Sequence, residues 1–160
     1  MLEQLAFEMR QMKASKWCWA AVAISVARYY NPNYPLYQCH LATIYFGMPL
    51  WICCNDKSLC NFGGHLDEAL DMVGHLWDWD NCSTSLVRIF VEIGGGWPIG
   101  VRIAWYKGGA HYVVITGFST NGFVKVHDPA TGGYSWVDYD IFIVAYKFKG
   151  YWTHSYYTTP

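Results

Sequence analysis

The sequence has no long hydrophobic run and no excess of charge of either sign. Its longest apolar stretches, residues 17–27 and 112–115, are shorter than the roughly 20 residues that a membrane-spanning helix needs. Eleven Lys and Arg residues stand against twelve Asp and Glu, which gives a formal net charge of -1, and they form no basic stripe along the chain. These absences exclude a membrane span and argue against nucleic acid as a partner.

The beginning of the sequence also lacks the continuous hydrophobic segment of a cleavable signal peptide, because residues 1–13 alternate charged and apolar side chains. This absence does not assign the protein to the cytoplasm, since a secreted protein need not carry such a signal. No internal repeat or low-complexity linker divides the chain. A length of 160 residues suits one domain with a core of its own, so we expect residues 1–160 to form a single domain.

Aromatic side chains are abundant: they make up 19% of the residues, with nine Trp and thirteen Tyr. One core of this size does not easily bury them all. We therefore expect some of them to line a cleft or a surface for a partner.

Helical patterns occupy the first half of the chain and strand patterns the second. The predicted helices are residues 2–9, 18–30, 37–47, 64–74 and a segment capped by residues 83–85 that runs to 92, with 77–80 as a loop. The predicted strands are residues 98–105, 111–118, 122–126, 133–137 and 142–146. Helices followed by an antiparallel sheet make an α+β fold.

Cys18 stands where the second predicted helix begins, between Trp17 and Trp19. A thiol at a helix N-terminus lies against the positive end of the helix dipole and unpaired backbone N–H groups, which favour the thiolate. Because the thiolate is the reactive form of cysteine, Cys18 is a candidate nucleophile. Free cysteine is also among the most buried residue types, so an ordinary core cysteine is the alternative.

His111 follows a glycine turn at the start of a predicted buried strand. From a rigid strand its imidazole can take the thiol proton and later protonate a leaving group. Asp128 lies at the end of the next strand, where Pro129 stops further pairing. Its carboxylate can accept the second ring N–H of His111 and fix the tautomer. A core histidine satisfied by a neighbour and a common Asp-Pro turn are the alternatives.

Gln11 lies seven positions before Cys18, close enough in sequence for its side-chain amide to point at an oxyanion beside the sulfur. A glutamine near a cysteine carries little information alone. Its weight comes from the order of all four residues along the chain: Gln11, Cys18, His111 and Asp128.

This order resembles that of a papain-like cysteine peptidase. The likeness is to the compact bacterial branch with a Cys-Trp-Ala-Ala nucleophile motif, which begins here at Cys18. That branch includes effector proteases of plant pathogens and is similar to the peptidase domains of bacteriocin exporters. The likeness covers residues 11–148, where residues 93–101 resemble the Gly-x-Pro segment before the histidine strand. The family usually places its glutamine at the position of Met12, so Gln4 or a backbone N–H is an alternative oxyanion donor.

The resemblance implies a papain-like α+β fold in which the nucleophile helix packs on a C-terminal antiparallel half-barrel. It implies peptide-bond hydrolysis by Cys18, His111 and Asp128, with Gln11 as oxyanion donor. The implied partner is a protein or peptide substrate, together with an activating host or partner protein, and no cofactor or metal. A bacterial protein that is secreted or delivered into a host or target cell is expected, with the cytoplasm as the alternative location.

Two other functions fit the same pattern. A papain-like module without activity would hold a peptide on its tryptophan-rich surface. A papain-like amide transferase or deamidase would use the same nucleophile with another acceptor.

The chain has five further cysteines: Cys39, Cys53, Cys54, Cys60 and Cys82. In a disulfide framework one of them stays free, and the adjacent Cys53 and Cys54 pair with two different partners rather than with each other. A zinc site made of three cysteines and His65 is the rival, although its spacing departs from the usual Cys-x2-Cys pairing. Reduced buried thiols, as a cytosolic protein would keep them, are the third interpretation.

Overall fold

A computed structural model describes residues 1–160 and contains one antiparallel sheet of seven strands. The strands are β1 (Leu2–Gln4), β2 (Leu76–Asp80), β3 (Ile99–Trp105), β4 (Ala110–Ser119), β5 (Phe123–Asp128), β6 (Gly133–Asp138) and β7 (Gly150–Thr158). Their order across the sheet is β2-β7-β3-β4-β5-β6, and β1 pairs with β4 beside this path. The long central strand β4 therefore has partners on both edges.

Five of the six α-helices precede β3 in the chain. The helices are α1 (Cys18–Tyr30), α2 (Gln38–Tyr45), α3 (Ile52–Asn55), α4 (Leu66–Met72), α5 (Leu86–Gly94) and α6 (Tyr139–Ala145), with a short 3₁₀ helix at Lys57–Cys60. The predictions for α1, α2, α4 and α5 are confirmed to within a few residues. Ser85 caps α5 as expected, because its side chain accepts a hydrogen bond from the Arg88 N–H.

Two apolar clusters lie on opposite faces of the sheet. Successive side chains of a strand point to opposite faces, so Tyr112 and Val114 of β4 pack in the cluster that contains α1. Val113 and Ile115 pack in the other cluster, with buried residues of α5 and α6. The nucleophile helix thus lies on one face of an antiparallel sheet, and the predicted papain-like α+β fold is confirmed.

The predicted helix at residues 2–9 is wrong. The segment forms β1 and then continues extended, since the Leu5 N–H donates to the Thr116 carbonyl at 2.8 Å. Phe7 and Met9 are buried while Glu8 and its other neighbours are exposed, an alternation with the period of a strand. Pairing with β4 satisfies backbone groups that a short helix would satisfy internally, and only the folded sheet offers that partner.

Two further predictions in the second half are wrong. Residues 77–80 belong to β2, where alternating Trp and Asp fit the two faces of a strand paired with β7. Residues 142–146 lie mostly in α6, because the Asp138 side chain accepts from the Ile141 N–H and caps a helix there. A strand that was not predicted from the sequence, β7, follows α6 in the chain.

No helix in the structure combines the length and the apolar character needed to cross a membrane.

Two disulfides stabilise the segment between α2 and α4. Cys39 pairs with Cys54, and Cys53 pairs with Cys60. The adjacent cysteines therefore pair outward with different partners, as the disulfide interpretation predicted. These bonds occupy all three sulfurs that the zinc alternative required. Cys82 is free and exposed, whereas Cys18 is free and buried.

Candidate active site

An open cleft of about 1110 Å³ lies where the start of α1 meets the sheet. Cys18, His111 and Asp128 all line this cleft, although 110 residues separate the first from the last. All three are largely buried, with relative exposures of 8%, 7% and 5%. The structure therefore brings together the three residues that the sequence predicted as a nucleophile, a base and an orienting group.

Cys18 is the first residue of α1, as predicted. The first N–H of this helix to reach a carbonyl is that of Ala21, which donates to Trp17 at 2.9 Å. No side chain caps the helix, and the N–H groups of the residues before Ala21 have no partner within the helix. Partial positive charge therefore collects beside the Cys18 sulfur.

His111 and Asp128 come from neighbouring strands. His111 is the second residue of β4 and Asp128 is the last of β5, and the two strands pair. The His111 Nε2 lies 2.7 Å from the Asp128 Oδ1, which leaves Nδ1 as the ring nitrogen free to serve Cys18. With a carboxylate on one ring nitrogen, the imidazole can take a proton from a thiol that lines the same cleft.

Several donors surround the Asp128 carboxylate. Its Oδ1 also accepts from the Ala130 N–H at 2.8 Å, and its Oδ2 accepts from the Tyr146 hydroxyl at 2.7 Å and the Lys147 ammonium at 3.0 Å. Burial alone would raise the pKa of Asp128, but the hydrogen bonds from His111, Tyr146 and Ala130 outweigh it and hold that pKa well below its usual range. Asp128 is therefore a fixed negative charge behind the imidazole.

The imidazole of His111 is stabilised in its charged form. Burial favours the neutral ring, but hydrogen bonding and charge from Asp128 and Cys18 prevail and raise the pKa of His111 to about 9. Trp105 stacks on the ring, with centroids 5.5 Å apart and planes 21° apart. An imidazolium held between a carboxylate and a sulfur can protonate a leaving group.

A family model matches nearly the whole chain. The model of the Peptidase_C39 like family matches residues 2–159. The chain belongs to this family. Membership indicates a cysteine peptidase with a protein or peptide substrate, and the match extends through β7, beyond the residues that the sequence resemblance covered. No curated protein matches the chain.

The structure does not bring Gln11, the predicted oxyanion donor, to the cleft of this C39-like protein. The Gln11 side chain donates to the Ala130 carbonyl at 3.1 Å and lines a separate groove, while Met12 lines the cleft. Residues 5–12 lie outside any helix, and the consecutive side chains of Gln11 and Met12 face different cavities. The side chain of Gln4, the alternative donor, is engaged elsewhere, because its Oε1 accepts a hydrogen bond from the Lys125 ammonium at 2.8 Å. Backbone N–H groups are the donors that remain.

Three side chains that hold the C39-like site were not predicted from the sequence. Tyr146 and Lys147 bind Asp128, and Trp105 covers His111. Trp105 ends β3 directly before the glycine turn that leads to His111, which is a usable signal. Lys147 has no such signal in the sequence, because it follows a segment whose secondary structure was predicted wrongly. In the structure its φ of 51° lies in the left-handed region, where backbone strain often marks functional sites.

The raised pKa of His111 predicts the alkaline limit of activity. The imidazolium that would protonate the leaving group is present below the folded pKa of about 9 and is lost as the pH rises through it. We expect kcat/KM for peptide hydrolysis to fall tenfold per pH unit above about pH 9. A pH-rate profile measures this limit. A limit near pH 6.5, the value for an ordinary histidine, would contradict the prediction.

Proposed function

We propose that this C39-like protein is a cysteine peptidase that hydrolyses peptide bonds with a triad of Cys18, His111 and Asp128. The observation that carries the proposal is the fixed position of the His111 side chain. The His111 ring is held at 2.7 Å by the Asp128 carboxylate, which also accepts hydrogen bonds from other groups. His111 lies with Cys18 in an open cleft. A purely structural histidine needs neither a nucleophile beside it nor solvent access.

The first half of the reaction forms a thioester. The Cys18 thiolate attacks the peptide carbonyl, and the backbone N–H groups at the start of α1 stabilise the oxyanion. His111 then donates its proton to the departing amine as the C–N bond breaks. In the second half, neutral His111 takes a proton from water, and the resulting hydroxide attacks the thioester and releases Cys18.

The two disulfides support a location outside the reducing cytosol. Such bonds persist in oxidising compartments and are rare in cytosolic proteins, and here Cys39–Cys54 lies partly at the surface. We therefore include secretion, or delivery into a host or target cell, in the proposal. A bacterial effector role and an activating partner protein stay predictions of the resemblance.

Selective labelling tests the nucleophile, and Cys82 is the matched control. Exposure alone favours modification of Cys82, because this thiol is exposed and Cys18 is buried. An activated Cys18 reverses that order, so we expect iodoacetamide to label it at least about tenfold faster than Cys82 at pH 6. Mass spectrometry of digested samples measures both rates. Faster labelling of Cys82 would favour the inactive peptide-binding module.

Product analysis separates hydrolysis from the other chemistry of an active thiol. Incubation of an unstructured protein substrate in ¹⁸O-labelled water should place one heavy oxygen in each new carboxylate. Products joined to an added amine, or a deamidated side chain without chain cleavage, would indicate a transferase or deamidase instead.

A further inference from the structure

Positive charge is concentrated around the cleft. Although the chain has nearly equal numbers of basic and acidic residues, five of its eleven Lys and Arg side chains line the cleft. They are Lys16, Arg102, Lys107, Lys147 and Lys149. Only one of the twelve acidic residues, Asp128, lines it. The folded chain therefore has a charge asymmetry that its linear sequence does not display.

The single carboxylate does not neutralise these cations. Asp128 is 5% exposed, and its oxygens are occupied by His111, Tyr146 and Lys147. Lys16, Lys107 and Lys149 are exposed and belong to none of the ion pairs in the structure. Their ammonium groups are therefore available to a ligand.

The available cations lie on both walls of the cleft. Lys16 comes two residues before Cys18 and is fixed on the α1 side, where its N–H donates to Asn61 at 2.9 Å. Lys107 lies in the turn between β3 and β4, and Lys149 directly precedes β7. The Tyr106 N–H donates to the Lys149 carbonyl at 2.8 Å, which holds these two segments together on the sheet side. A peptide crossing the cleft would pass between these walls.

We propose that the cleft selects peptide substrates with acidic side chains near the cleaved bond. This inference rests on the proposed peptidase function and specifies its substrate class. A cleft lined by charge of one sign concentrates ligands of the opposite sign and speeds their association. Basic segments are excluded by the same field, because no free carboxylate in the cleft receives them.

Matched peptides measure the preference. A fluorogenic peptide with two Glu residues on each side of the scissile bond is compared with versions that carry Gln or Lys at the same positions. We expect kcat/KM to be about tenfold higher for Glu than for Gln, and lower again for Lys, from several exposed ion pairs together. The Glu preference should shrink at about 0.5 M NaCl, where screening lengths are about 4 Å against about 10 Å at 0.1 M.

Charge-reversal variants show whether the lysines are responsible. In Lys107→Glu/Lys149→Glu the ratio of Glu to Gln hydrolysis should fall to about one or below. Lys57→Glu/Lys13→Glu is the control, because those exposed residues line the separate groove and change the net charge by the same amount. The control should keep the wild-type ratio.

The outcomes separate this inference from the proposed function. Equal hydrolysis of the Glu and Gln peptides, or a ratio that both variants change alike, overturns the acidic preference and leaves the peptidase assignment intact. Hydrolysis of none of the peptides, together with slow labelling of Cys18, overturns the peptidase assignment itself. A higher rate for the Lys peptide contradicts the charge argument directly.

Discussion

Substitution of Cys18 by alanine is expected to abolish peptide hydrolysis, with a fall of more than about 10⁴-fold in kcat. Without the sulfur no thioester forms, and His111 has no nucleophile from which to take a proton. The fold should persist, because the change removes one buried atom at the start of α1 and costs about 1 kcal/mol or less. Peptide hydrolysis and thermal unfolding by circular dichroism measure the two effects on the same sample.

Two other variants complete this test. Cys82→Ala removes the other free thiol, which is exposed and outside the cleft, and should keep full activity. Cys18→Ser keeps a hydroxyl of similar size but is a poor nucleophile without stronger activation, so it should be nearly as inactive as Cys18→Ala. A Cys18→Ala protein that still hydrolyses peptides would refute the assignment of the nucleophile.

Local signals predicted the parts of the site that come from regular elements. The start of α1 is marked by the apolar run after Cys18, and its end by Asn31 and Pro32, so the position of the thiol at a helix N-terminus followed from the sequence. Glycine turns bounded the strand that carries His111, and Pro129 fixed the strand end at Asp128. Each of these signals lies within a few residues of the side chain that it positions.

The parts that could not be predicted depend on contacts between distant segments. The extended N-terminal segment becomes a strand only when the β4 edge is present, and its local pattern also suits a helix. The direction of Gln11 follows from that extended conformation and not from its sequence distance to Cys18. The placement of Tyr146 and Lys147 on Asp128 likewise requires α6 to end where it does, and a short apolar run does not distinguish a helix from a strand.

Substitution of Asp128 by asparagine is expected to have the second largest effect, a loss of about 10²- to 10⁴-fold in kcat. Asparagine keeps an acceptor for the Ala130 N–H but removes the charge that favours the imidazolium and binds Lys147. Because hydrogen bonding and charge from Asp128 are among the causes that raise the pKa of His111, the alkaline limit of the remaining activity should move below pH 9. A pH-rate profile of Asp128→Asn beside the wild type measures both changes.

The same substitution should alter stability in a way that a simple turn residue would not. Because the pKa of Asp128 is lowered in the folded protein, its contribution to the free energy of unfolding is present above the unfolded pKa of about 3.9 and is lost at lower pH. The raised pKa of His111 means that its contribution is complete below about 6.5 and is lost as the pH rises towards about 9. In urea unfolding from pH 3 to 9, the free energy of unfolding that these two groups contribute together should therefore be largest between about pH 4 and 6.5.

In Asp128→Asn both flanks of that stability profile should flatten together, and the free energy of unfolding should fall by about 3 kcal/mol at the maximum. The reason is that His111 and Lys147 both lose the buried negative charge of Asp128 as their partner. If Asp128 were only the first residue of an Asp-Pro turn, asparagine would replace it with little loss, since both side chains suit such turns. An unchanged pH profile of stability would thus separate the turn from the triad, even if the variant proved inactive for another reason.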